Sequence, residues 1–165
     1  IHSFPTRRSS DLAIEKIEKP DTVILLNPPS AAILRKGTGI SNGEAHALGE
    51  IRIEAVPAYN TTAGRDKFHP RGRDNGYVLS SKGFRVYVAG DTEVIPEMKE
   101  ISKIDVAFLP MNQPYTMTPA QAAEVCRIIR PKVVYPYHYS ETRAEDLAEI
   151  LKNEPGIEVR VRSLK

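Results

Sequence analysis

The chain has 165 residues, of which 41% are hydrophobic and 27% charged, and this is ordinary for one soluble globular domain. The mixed composition excludes collagen, coiled coil and disordered proteins, and no apolar run reaches the ~20 residues that cross a bilayer. A net charge of +2 is too small to predict nucleic-acid binding. The one cysteine, Cys126, excludes an internal disulfide and a cysteine-rich zinc site. We therefore expect neither a nucleic-acid nor a membrane partner.

Residues 1–12, IHSFPTRRSSDL, do not have the pattern of a targeting segment. They lack the apolar stretch of a secretory signal, and Asp11 argues against a transit peptide. The translation of a common short-read sequencing adapter resembles these residues. We expect residues 1–12 to be an artefact and residues 13–165 to be a partial domain whose native start is missing. With no export signal visible, we expect a cytoplasmic location.

The first half of the chain predicts short elements and one long loop. A helical piece over residues 13–18 ends at Pro20, an apolar strand covers residues 22–26, and a helix follows Asn27 until Gly37. An alternating strand over residues 50–56 ends at Pro57, whereas His46 lies in a turn-like segment at the surface. Residues 60–75 have no hydrophobic period, and a loop of this length in a compact domain is usually functional.

The second half predicts a hairpin followed by alternating strands and helices. The hairpin covers residues 77–79 and 84–89, and apolar strands cover residues 106–109, 133–137 and 157–161. Thr118, Pro119 and Gln121 form the pattern of a capping box, which predicts a helix to about Ile129. A second helix covers residues 141–153, with Leu147, Ile150 and Leu151 inward. The fold class is therefore α+β, a mixed sheet with helices packed outside.

Three polar side chains stand where chemistry could occur. Asp91 and His138 each follow a strand, and His69 lies in the long loop. Imidazole nitrogens and a carboxylate suit zinc and similar divalent ions. Each residue also has a structural interpretation: Asp91 as an Asx turn, His69 as a solvated loop residue and His138 as a half-buried ring with local partners. The basic residues Arg65, Lys67, Arg71 and Arg73 either form a solvated loop or attract a phosphate or carboxylate.

Several motifs together resemble the metallo-β-lactamase fold superfamily, in its branch of small metal-dependent hydrolases. They are VYVAGDTEVIPEMKEISKIDVAFLPM, YTMTPAQAAE and PKVVYPYHY, preceded by EAVPAYN, FHPRG and NGYVL, and they cover residues 22–152. The resemblance implies an αββα sandwich with a site along one edge that commonly holds two zinc ions. The family's early His-x-His-x-Asp-His segment is absent, so we expect the chain to lack the N-terminal strands and the first metal-ligand motif. Met111-Asn112-Gln113 also stands where the family has a glycine-rich turn beside the pocket.

The resemblance also implies roles for individual residues. Asp91 would bridge two metals, His138 would bind the second and His69 the first, which makes Asp91 and His138 the catalytic pair. From their position just past His138, Tyr139 and Ser140 are candidates for contacts with a small substrate, and the basic residue Arg71, near His69, favours an anionic one. The implied function is a metal-dependent hydrolase that uses a metal-bound hydroxide on an ester, lactone or phosphodiester, with an incomplete site in this chain. The alternative is a non-catalytic binding or scaffold protein on the same fold. The sequence does not indicate an oligomeric state.

Overall fold

A computed structural model describes residues 9–164, with side chains from residue 13 onward. The chain divides into two compact units, Ile1–Gly39 and Ile40–Lys165. The expected artefact falls largely outside the described residues, but the first helix begins within it, at Ser9. No helix in residues 9–164 combines the length and apolarity needed to span a bilayer.

The first unit contains two short helices and a two-stranded parallel sheet. Its elements are α1 (Ser9–Ile17), β1 (Leu25–Leu26), α2 (Pro28–Leu34) and β2 (Thr38–Gly39), with β1 paired to β2. The Asn27 side chain accepts the Ser30 N–H at 2.9 Å, which confirms the predicted helix start. The strand expected over residues 22–26 is shorter than predicted, because only its last two residues find a partner strand.

The second unit is built on one seven-stranded sheet whose strands follow in chain order. Four antiparallel strands come first, and three more then continue the sheet in parallel. The strands are β3 (Ala45–Leu48), β4 (Ile51–Ala58), β5 (Asp74–Ser81), β6 (Phe84–Val88), β7 (Val106–Pro110), β8 (Val133–Tyr137) and β9 (Glu158–Val159). A 3₁₀ helix (Pro96–Glu100), α3 (Pro119–Ile129) and α4 (Glu145–Leu151) connect the parallel strands. The predicted α+β class is confirmed.

Two predictions about the antiparallel part were wrong. His46 lies in β3, not in a turn, because this segment pairs with β4 through a tight turn at Gly49. Pro57 does not end β4, which continues to Ala58 and pairs Pro57 with Asn75. The register between β3 and β4 stops at Glu54, so no residue of β3 is paired with Pro57. Because Pro57 has no strand partner on this side, its missing N–H removes no hydrogen bond from the sheet.

The helices bury one face of this sheet. Val78, Tyr87, Ala107 and Val134 stand in register across β5 to β8 and are at most 3% exposed. They form one cluster with α3 and α4. The opposite face carries half-exposed apolar residues, including the register row Leu79, Val86, Val106 and Val133.

The two long helices differ in how well the sequence predicts them. Helix α3 has the full capping box between Thr118 and Gln121, and its predicted face is buried. Helix α4 begins at Glu145 instead of residue 141, because Ser140 has a left-handed φ of 43° and a turn precedes the helix. Ile150 is 42% exposed, so its predicted inward position was wrong, whereas Leu147 and Leu151 are buried.

The buried face of α3 predicts that Cys126 is chemically inert. The thiol is fully buried, and burial raises its pKa to about 12, so only about one in 10⁴ thiols is ionised at pH 8. We expect a thiol reagent to label the native chain at least about 1,000-fold more slowly than the denatured chain. Because the chain has one cysteine, absorbance of the released reagent measures this directly. Equal labelling rates with and without denaturant would contradict the packing of α3.

Candidate functional site

The candidate site lies at the sheet edge where the parallel strands end. Asp91 follows β6 and His138 follows β8. Because β5 is antiparallel to β6, the loop that enters β5, and with it His69, reaches the same edge. Gly90 is required here: its φ is +68°, and a Cβ atom would lie 2.4 Å from the Asn75 carbonyl oxygen. The chain can therefore turn directly from β6 into Asp91.

The structure brings together the three residues that the sequence singled out as metal ligands. His138 Nδ1 lies 2.8 Å from Asp91 Oδ1, and His69 Nε2 lies 3.7 Å from Asp91 Oδ2. Each carboxylate oxygen thus faces a different imidazole. The side chains are 17% (His69), 33% (Asp91) and 40% (His138) exposed, so solvent and small molecules reach the group. The roles of these residues as ligands stay a prediction.

A second carboxylate holds His69 from behind. Asp74 Oδ2 lies 3.0 Å from His69 Nδ1, and Arg73 donates to both oxygens of Asp74 at 2.9 and 2.7 Å. Burial raises the pKa of Asp74, but the hydrogen bonds from His69 and Arg73 outweigh it and hold the pKa at about 2. In the tautomer that carries its proton on Nδ1, His69 donates to the Asp74 carboxylate and presents Nε2 to Asp91.

His138 is held by its backbone and by an amide. Its φ is +45°, its N–H donates to the Leu164 carbonyl at 2.8 Å, and its Nε2 lies 3.2 Å from Asn112 Nδ2. A left-handed conformation at a histidine is strained and persists only where the surroundings hold it. Contacts from the C-terminal segment and the 112–116 turn therefore fix the orientation of the ring. The carboxamide of Asn112 can donate or accept, so it suits either tautomer of His138.

The three residues predicted to contact substrate differ in position. Arg71 is 74% exposed on its side chain and pairs with Glu97 at 2.7 Å, while Ser140 is half-buried beside His138. Tyr139 is only 6% exposed, and its hydroxyl donates to the Arg162 carbonyl at 2.8 Å. The Tyr139 hydroxyl thus has a structural partner, and contacts between these residues and a substrate stay a prediction.

Each member of the basic cluster has a partner within the chain. Arg65 pairs with Glu93, Arg71 with Glu97 and Arg73 with Asp74, and the Lys67 ammonium lies 5.1 Å from the centre of the Phe68 ring. The acidic partners neutralise most of the positive charge that could attract an anion. Arg71 is the most exposed of the three arginines, with 74% of its side chain accessible.

Sequence reasoning missed Asp74 and Glu93, and it placed Asn112 beside the pocket without predicting its contact with His138. Glu93 has a fully buried side chain, which accepts the N–H groups of Thr61 and Thr62 at 2.8 and 2.7 Å. Burial raises its pKa, but the donors from Thr62, Thr61 and Arg65 together hold it below its usual value. A charged residue so close to a buried strand was the available signal, since such a carboxylate needs partners.

The donor set fits a divalent metal in chemistry and nearly in spacing. Two atoms bound to one zinc ion lie roughly 3.3 Å apart in tetrahedral geometry. The two imidazole–carboxylate separations, 2.8 and 3.7 Å, lie on either side of that value. Among residues 9–164 no group of three or more His, Cys, Asp or Glu side chains is placed so that it could hold a metal ion. Movements of about half an ångström in each pair would give the required spacing.

Comparison with known proteins assigns the family. A model of the β-lactamase superfamily domain matches residues 18–138. This chain belongs to that superfamily. A protein from Parabacteroides distasonis, assigned as a metal-dependent hydrolase, is 54% identical, and its crystal structure superposes with a TM-score of 0.89 over 93% of this chain and 70% of that chain.

More distant relatives agree with this superfamily assignment. A UPF0173 metal-dependent hydrolase of Archaeoglobus fulgidus is 33% identical over 138 residues, which cover 77% of this chain and 59% of the relative. A Thermotoga maritima structure assigned to the metallo-β-lactamase superfamily is 21% identical, with a TM-score of 0.58 over 77% of this chain and 74% of that chain, and it supports the fold. The predicted metallo-β-lactamase-like fold is confirmed. The chain spans about half the length of the curated relatives that it matches.

The buried hydroxyl of Tyr139 predicts a measurable contribution to stability. Tyr139→Phe removes the hydrogen bond to the Arg162 carbonyl, and we expect the free energy of unfolding to fall by about 1 kcal/mol. Tyr115→Phe is the matched control, because Tyr115 is 43% exposed, and its effect should stay within about 0.5 kcal/mol. Urea unfolding followed by circular dichroism measures both. Equal effects of the two substitutions would contradict a structural role for the Tyr139 hydroxyl.

Proposed function

We propose that this protein is a metal-dependent hydrolase whose site includes His69, Asp91 and His138, with zinc as the expected metal. The observation that carries the proposal is that the two oxygens of Asp91 face two different imidazoles. A carboxylate in this position can span two ions, with His69 as ligand to the first and His138 as ligand to the second. Superfamily membership and relatives named metal-dependent hydrolases support the same function.

Further ligands would come from outside these residues. Three side chains are too few for two catalytic metal sites, each of which takes about three protein ligands and keeps one open position. The curated relatives are longer than the part that this chain matches. We therefore propose that a segment outside the 165 residues supplies the remaining ligands, and that this chain alone is inactive as a hydrolase. A cytoplasmic location is part of the same proposal.

The residues of this chain would bind and orient the reacting groups. When bound, a divalent metal lowers the pKa of water toward ~7 and polarises the oxygen that gains negative charge. Asp74 keeps the His69 Nε2 lone pair directed toward Asp91, and Asn112 keeps the His138 ring in place. Arg71, Tyr139 and Ser140 are the proposed contacts to a small substrate, an ester, lactone or phosphodiester. The guanidinium of Arg71 is 74% exposed beside its partner Glu97 and is the group proposed to contact an anionic substrate.

A second candidate function is a non-catalytic binding or scaffold protein on the same fold. The observation that favours it is the direct 2.8 Å contact between His138 Nδ1 and Asp91 Oδ1. These groups satisfy each other without a metal, so the pair could serve structure alone. The two functions differ in whether the site binds a metal and in whether the metal-loaded protein hydrolyses a substrate.

Metal binding by this chain is the first test. We expect Zn²⁺ to bind saturably, and Asp91→Asn to weaken the affinity at least about 100-fold, because the substitution removes the carboxylate that both imidazoles face. Asp66→Asn, at an exposed carboxylate, is the matched control and should leave the affinity unchanged. Competition with a chromophoric chelator measures the dissociation constants.

Two outcomes would decide against the proposal. Zinc affinity that is equal in the wild type and in Asp91→Asn would remove Asp91 from the metal site. In the longer protein, metal loading without hydrolysis of any member of a panel of esters, lactones and phosphodiesters would favour the scaffold function. Hydrolysis that falls at least about 1,000-fold in Asp91→Asn would support the hydrolase.

A further inference from the structure

We infer that Glu93 is a positioning residue, which holds the loop of residues 59–69 against the segment that carries Asp91 and so sets the separation of His69 from Asp91. The hydrogen bonds of the Glu93 side chain go to Thr61, Thr62 and Arg65 instead of to the three proposed ligands. The expected effect of Glu93 on metal binding rests on the proposed function. The expected effect of Glu93 on the position of the loop is independent of the proposed function.

The Glu93 carboxylate gathers its donors from one short stretch of the loop. Oε2 accepts the N–H groups of Thr61 and Thr62 at 2.8 and 2.7 Å. Oε1 accepts the Thr62 hydroxyl at 2.9 Å and Arg65 Nη1 at 3.1 Å. The side chain of Glu93 is 0% exposed. Burial of a carboxylate is unfavourable unless several donors surround it, so this position is stable only while the loop is closed on it.

The same segment fixes the start of the loop a second time. The Thr92 hydroxyl accepts the Tyr59 N–H at 3.0 Å and donates to the Tyr59 carbonyl at 2.9 Å. The Glu93 N–H also donates to the Tyr59 carbonyl, at 3.0 Å. Asp91 directly precedes Thr92, so the anchors of the loop lie one and two residues from the proposed bridging carboxylate. The start of the loop is therefore held at a fixed position relative to Asp91.

The other end of the loop is tied to its start. The Asn60 N–H donates to the His69 carbonyl at 2.9 Å, and Asn60 Nδ2 donates to the Arg65 carbonyl at 3.1 Å and the Tyr115 carbonyl at 2.7 Å. His69 thus follows the position of residues 60–62, which Glu93 holds. Thr61, Thr62 and Gly64 are exposed, so the apolar core contributes little order to this part of the loop. The buried carboxylate supplies that order instead.

The first test uses the metal-free 165-residue chain and amide hydrogen exchange by NMR. Glu93→Gln keeps the size of the side chain but replaces one acceptor oxygen with a donor. We expect the Thr61 and Thr62 amides to exchange at least about tenfold faster in this variant and the His69 ring resonances to shift. Glu154→Gln is the matched control, since Glu154 accepts from Arg127 and Arg130 at a distant surface, and it should change neither signal. Unchanged amides and ring resonances in Glu93→Gln would overturn the inference.

The second test measures Zn²⁺ affinity and melting temperature in parallel. We expect Glu93→Gln to weaken zinc binding about tenfold, and Glu154→Gln to leave it unchanged even where the melting temperature falls equally. Thr62→Val, which removes one hydroxyl donor, is the milder variant and decides the question if Glu93→Gln does not fold. It should weaken binding about threefold. Zinc affinity within about 1.5-fold of the wild type in Thr62→Val, or in a folded Glu93→Gln, would overturn the metal-site consequence.

The two proposals fail in distinguishable ways. If the wild-type chain shows no zinc binding that depends on Asp91, the proposed function is wrong, and the exchange and ring-resonance measurements still decide the role of Glu93. If zinc binding depends on Asp91 but not on Glu93 or Thr62, the metal site stands and the positioning role is wrong.

Discussion

The candidate site depends on one carboxylate that meets two imidazoles. Asp91 is placed by the end of β6, His138 by the end of β8 and His69 by the loop before β5. These elements meet at one edge because β6 to β8 are parallel and β5 runs against β6. A sheet with another strand order would separate the three side chains, so the site is a direct consequence of topology.

Charged groups, not the apolar core, order the surroundings of this edge. Between Tyr59 and Phe68 the loop has no large apolar side chain, and buried or half-buried carboxylates organise it: Glu93 through Thr61 and Thr62, and Asp74 through His69. Such groups are stable only with their donors in place, which ties the position of each ligand to an intact hydrogen-bond network. Arg65 and Arg73 form ion pairs with the carboxylates of this network, Glu93 and Asp74, so their charge is largely neutralised within the chain.

The sequence predicted the features that depend on local pattern. The capping box of α3 and the strand over Val133–Tyr137 follow from neighbouring residues alone. The wrong predictions depended on pairing or packing at a distance: Pro57 is tolerated because β3 ends early, and Ile150 is exposed although it follows the helical period. The three proposed ligands stood out by residue type, whereas Glu93 and Asp74 act through partners that only the fold brings near.

The most direct test is anomalous diffraction at the zinc edge from crystals of this chain grown with Zn²⁺. A metal held by the predicted donors gives a peak within about 2.0–2.2 Å of an oxygen of Asp91 and of a ring nitrogen of His69 or His138, and a metal at His138 replaces the hydrogen bond between His138 Nδ1 and Asp91. Peaks found only away from Asp91, for example at His46, with the Asp91–His138 contact still at 2.8 Å, would contradict the proposed metal site.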